Sequence, residues 1–128
     1  MKGTTRAMAD IHAVTEFTVE RSKWYRGKGT SYTALQVTGG PAVDHGKMCC
    51  VGFLGKSCGL DETTLKQNAI LTYIPEVLSN DKLKALAQNI HKSGIYEIND
   101  SNWLGPIERE NQLIEEFDKL GIKLTFVD

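Results

Sequence analysis

Polarity alternates along residues 11–20. Ile11, Ala13, Phe17 and Val19 fall on one side of an extended chain, His12, Glu16, Thr18 and Glu20 on the other. A period of two, rich in β-branched and aromatic residues, predicts a half-buried strand. Residues 31–37 predict a second strand, ended by Gly39-Gly40-Pro41. Between them, Trp24-Tyr25-Arg26-Gly27-Lys28-Gly29 reads as a loop whose glycines permit backbone conformations that other residues avoid. The period then changes. Cys50, Leu54 and Cys58 recur every four residues, as do Val51 and Gly55, which predicts a buried helix within residues 47–59. Gly52 and Gly55 each lower helix propensity by about 1 kcal/mol relative to alanine. Another element is therefore expected close against that face. Residues 61–67 predict a short helical turn capped by Asp61, and residues 74–78 another.

The second half is more regular. Ser79 or Asn80 caps a helix carrying Leu83, Leu86, Ala87 and Ile90 on one stripe, stopped by Gly94. Residues 95–98 predict a short strand and residues 99–105 a loop leading to Pro106, a residue suited to the first helical position. The last helix presents Leu113, Ile114, Phe117 and Leu120 and stops at Gly121. Ile122, Leu124 and Phe126 then alternate with Lys123 and Thr125 in a closing strand. No repeat or linker divides the chain. The expectation is a single α+β domain over residues 1–128, with a mixed or antiparallel sheet, two to three helices packed on one face, and residues 1–8 flexible.

Length and composition fit that picture. At 128 residues, 41% hydrophobic and 24% charged, the chain can support its own core. A net charge of -1 lacks the basic excess that a long polyanion requires, so no nucleic-acid polymer is expected as partner. One local basic cluster exists, Arg21, Lys23, Arg26 and Lys28, which suits a small anionic ligand. No stretch approaches the roughly 20 apolar residues that span a bilayer, and the first residues lack a signal-peptide core. Three cysteines, two of them adjacent at Cys49 and Cys50, do not form a disulfide framework. They read as reduced, buried thiols in a cytoplasm.

The candidate chemistry points to binding. A zinc site built from Cys49, Cys50, Cys58 and His45 is disfavoured, because a helix sets Cys50 and Cys58 about 12 Å apart along its axis. No metal or other cofactor is expected. The histidines, His12, His45 and His91, are scattered, and nothing joins one to a cysteine as a nucleophile needs. Trp24, Tyr25, Arg26 and Lys28 set flat aromatic faces beside cationic donors, which suits a base and a phosphate; a plain solvated turn anchored by Trp24 explains them equally well. Asn99-Asp100-Ser101-Asn102-Trp103 is either an ordinary turn or a ligand loop. Trp103 stands out there as a large apolar ring among polar residues. Arg109 lies in the first turn of a helix, where the dipole disfavours a cation, so it needs a partner such as Asp100, Glu108 or a bound anion. The backbone N–H groups of that helix start are a ready anion site.

The segment Lys47-Met48-Cys49-Cys50-Val51-Gly52-Phe53-Leu54, with Ile98-Asn99-Asp100, Glu108-Arg109-Glu110, Gly121-Ile122 and a closing Phe126-Val127, resembles small proteins carried by phages and prophages. Val51 stands where their pattern has leucine. Among such proteins the chain looks like the Thoeris anti-defence sponges. The resemblance implies a homo-oligomer in the host cytoplasm that sequesters a cyclic-ADP-ribose-type immune signal at subunit interfaces without cleaving it. A ligand of phosphates, riboses and adenine would then meet Arg26 and Arg109 at its phosphates, with Lys28 also in the binding site. Phe17, Trp24 or Trp103 would stack on its base, and Asn99 with Asp100 would take its ribose hydroxyls or base edge. The alternatives are a protein–protein inhibitor of a host enzyme and a small nucleotide hydrolase.

Overall fold

The computed structural model describes residues 11–24, 48–66, 68, 70–101 and 103–128. The strand predicted at residues 31–37, the glycine loop at 25–29 and residues 1–8 lie outside them. Strand β1 (Glu16–Glu20) pairs in parallel with β2 (Lys123–Val127), Phe17 opposite Leu124 and Val19 opposite Phe126. Among the described residues the sheet is therefore two-stranded and parallel, where a mixed or antiparallel one was expected. The two strands lie near opposite ends of the chain with every described helix between them. They are joined by a long crossover, and parallel pairing requires one. β1 also starts five residues later than its alternation suggested. Residues 11–14 are irregular, held by a His12 N–H to Cys58 carbonyl bond of 2.9 Å. The side-chain phase is as predicted. Phe17 and Val19 are buried while Glu16, Thr18 and Glu20 are exposed, and in β2 Leu124 is buried between exposed Lys123 and Thr125.

Among the described residues six α-helices occupy the crossover, more than the two or three expected. Helix α1 (Cys50–Ser57) packs on β1, and Gly55 meets the close neighbour expected. A Cβ placed on Gly55 would stand 2.9 Å from Leu65 Cδ2, with Leu60 and Leu71 at 3.4 Å. Leu65 belongs to α2 (Glu62–Lys66), whose start is capped by Asp61 Oδ1 accepting from Thr64 N–H at 2.7 Å. After a 3-10 turn (Leu71–Tyr73) come α3 (Pro75–Leu78) and α4 (Asp81–Ser93). The Asn80 carboxamide caps α4 by accepting from Leu83 N–H at 3.1 Å, and its Nδ2 donates to the Ile11 carbonyl at 3.3 Å. Leu83, Ala87 and Ile90 are buried, and Gly94 ends the helix at φ 84°.

The strand predicted at residues 95–98 is a helix, α5 (Ile95–Asp100). Ile95, Tyr96 and Asn99 are its buried positions, a helical spacing that four apolar-rich residues cannot reveal by themselves. Tyr96 helps fix it by accepting a hydrogen bond from Leu71 N–H at 3.1 Å through its hydroxyl. Helix α6 (Pro106–Lys119) begins with proline as predicted, packs on α5 and β2, and buries Leu113 and Phe117. Ile114, expected on the same stripe, is exposed instead. Gly121, at φ 79°, and an Ile122 N–H to Phe117 carbonyl bond of 3.0 Å turn the chain from α6 into β2. Among the described residues no helix is long and apolar enough to cross a membrane.

Candidate functional site

The predicted site residues divide into those the core absorbs and those left at the surface. Trp24 follows the 3-10 turn (Arg21–Lys23) and bridges to Met48. Its ring lies 4.7 Å from that of Phe126, and its Nε1 donates to Asn99 Oδ1 at 2.7 Å. The same oxygen accepts from Cys50 N–H at 3.0 Å, while Asn99 Nδ2 donates to Asp100 Oδ1 at 2.9 Å. One carboxamide thus joins the end of the β1 segment, the start of α1 and the end of α5. Trp24 is 3% exposed and Asn99 0%, so neither is open to a ligand as expected. Phe17 is also buried, edge-on to Phe117 with ring centroids 5.0 Å apart.

Arg109 is buried as well, and its guanidinium donates to the Ser101 and Leu104 carbonyls. The reason sought for a cation in this helical turn is internal. It secures the loop that carries Trp103, with Asp100 as a nearby opposite charge. Asp100 is half-buried. Burial, with help from Glu97, raises its carboxyl to about 6 against the lowering effects of the Asn99 hydrogen bond and Arg109. The start of α6, expected to offer an anion site, already carries a carboxylate, since Glu108 Oε1 accepts from Gly105 N–H at 3.1 Å. The basic cluster is partly committed too. Arg21 grips Glu110 through two bonds of 2.7 and 2.9 Å and reaches Asp128 at 2.9 Å. Arg26 and Lys28 lie outside the described residues. Trp24 and Asn99, one from each predicted loop, do meet, but in a buried bond, and Asn99 and Asp100 belong to helix α5 rather than to the loop expected at 99–105.

Cys49, Cys50 and Cys58 are free and buried. Burial pushes the Cys49 thiol up to about 12 and raises those of Cys50 and Cys58, which disfavours the thiolate that a nucleophile needs. Among the described residues no group of His, Cys, Asp or Glu is placed to hold a metal ion. A surface hollow of about 150 Å³, lined by Ile11, Glu76, Ser79 and Asn80, contains none of the predicted residues. It is smaller than the roughly 300–1,000 Å³ usual for ligand pockets.

Open surface remains around Trp103. That ring is 75% exposed, and Ile107, four residues on, is 76% exposed. Ile107 was not among the residues singled out from the sequence, although the signal was there. It falls off the stripe of Arg109, Leu113 and Phe117 that α6 buries. The exposed face of α6 runs Ile107, Asn111, Ile114, Asp118, at helical spacing, flanked by exposed Glu108 and Glu115. No protein-family model, curated protein or solved structure matches the chain.

Proposed function

We propose that this chain acts by binding rather than by catalysis, and that it docks a protein partner through the face bearing Trp103 and Ile107. The observation that carries this is the exposure of those two large apolar side chains, about three-quarters each, four residues apart in sequence. Burying such a side chain contributes roughly 1.5–3 kcal/mol, and tryptophan is the residue most enriched among interface hot spots. Supporting it, Arg109 braces the loop from beneath, so Trp103 is presented by an anchored backbone. Capture from a bacterial lysate tests the reading. The parent protein is expected to retain a protein that the Trp103→Ala/Ile107→Asp variant does not. Equal capture by both would overturn it.

The cyclic-nucleotide sponge is the second reading. It would use Trp103 as the stacking face and Asp100 for hydroxyls, with Arg26 and Lys28 at the phosphates, in a homo-oligomeric pocket. The half-buried, elevated Asp100 carboxyl favours it, because such groups concentrate at ligand sites. Heat denaturation after exposure to a lysate containing the signal separates the readings. A sponge releases intact nucleotide, a hydrolase releases product, and a protein-docking chain releases neither.

A further inference from the structure

Resting on the protein-docking reading, we infer that the partner surface is basic: an apolar cleft rimmed by lysine or arginine, into which the Ile107–Ile114 ridge of α6 fits with Trp103 at its head. The charges around the ridge carry this. Ile107, Asn111, Ile114 and Asp118 form one line along the helix, and Glu108 and Glu115 lie along one side of it, all exposed. The helix carries five acids, Glu108, Glu110, Glu115, Glu116 and Asp118, against two bases. Neither base can offset the acids at the ridge. Arg109 points inward to the Ser101 and Leu104 carbonyls, and Lys119 is bound to Glu116 at 2.8 Å. Glu97 and Asp100 add further acid to the neighbouring α5. On the other flank Glu110 is matched by Arg21, and that pair ties α6 to the 3-10 turn that follows β1.

Complementary potentials select the partner and speed encounter, while like charges brought together oppose it. A second copy presenting this same face would set Glu108, Glu115 and Asp118 against their equivalents. An anionic partner would meet the same repulsion. A cation-rimmed cleft gains from both the apolar ridge and its acidic border.

The test uses two synthetic amphipathic helical peptides of equal length sharing one leucine face, one flanked by lysines and the other by glutamates. Each is titrated into the full chain while tryptophan emission is followed, with Trp103→Phe identifying the signal. The lysine peptide is expected to shift the emission to the blue. That shift should be lost in Ile107→Asp, weakened about tenfold in Glu115→Lys, and little changed in Glu76→Lys on α3, the control for bulk charge. Near-ultraviolet circular dichroism of each variant confirms folding. Equal binding of both peptides, or equal weakening by Glu115→Lys and Glu76→Lys, overturns the basic partner and leaves the docking face standing. Silence from both peptides also overturns it, and the lysate capture then judges the docking reading separately. Self-association abolished by Ile107→Asp would make the occupant a second copy and overturn it too.

Discussion

Asn99 accepts from two donors on one oxygen, Trp24 Nε1 and Cys50 N–H, and is fully buried. A buried donor deprived of its acceptor costs about 1–3 kcal/mol. Asn99→Ala is therefore expected to lose about 2–4 kcal/mol in denaturant unfolding. A ligand-contact role alone would leave the unliganded protein unchanged. Asp100, its neighbour, behaves in the opposite sense. Its carboxyl rises from 3.8 to about 6 on folding, so folding takes up a proton between those values. The advantage of the protonated form is complete below about pH 4 and is lost as pH rises through 6. Asp100→Asn should thus raise the melting temperature relative to the parent above pH 6, with the gain vanishing near pH 4. A gain independent of pH would show that the carboxyl charge is not its source.

At the scale of elements, α1 and α2 approach each other as closely as they do because Gly55 has no side chain. Alanine there would recover about 1 kcal/mol of helix propensity. Its Cβ, 2.9 Å from Leu65 Cδ2 and hemmed by Leu60 and Leu71, would force a repacking that typically costs about 1–3 kcal/mol. Gly55→Ala is expected to be destabilised by about 1 kcal/mol on balance in urea unfolding. Stabilisation instead would mean that Leu65 moves aside freely. The helices with caps and stripes were legible in the sequence: Asn80 and Gly94 bound α4, and Pro106 and Gly121 bound α6, where the periodicity placed them. Helix α5 was not. Its six residues hold too few apolar positions to separate a period of 3.6 from one of two, and the Tyr96 and Asn99 bonds that define it come from residues 25 and more positions away.

For the molecule as a whole, the three thiols report on opening. All are buried, in a core shared by the helices and both strands. With the thiolate disfavoured and the sulfur screened, alkylation at neutral pH should proceed only through unfolding. Mass spectrometry is expected to find the native chain unlabelled over times in which denatured chain takes up three labels. Rapid native labelling of Cys49 or Cys50 would point to a local opening at the start of α1. The candidate site was half legible at this scale. Trp103 stood out as an aromatic ring in a polar loop and is exposed. Phe17, Trp24, Asn99 and Arg109 stood out for the same chemical reasons, yet the fold uses each of them internally.

Side-chain periodicity, caps and chain-breaking residues settled which long segments are helical and which strand faces turn inward, because those choices depend on neighbours a few positions apart. Strand direction, the helical state of residues 95–100 and the difference between a polar group that binds inward and one that faces solvent depended on contacts made across the chain. Local pattern carries no information about such partners: Asn99 looks the same in sequence whether its amide awaits a ligand or already holds Trp24.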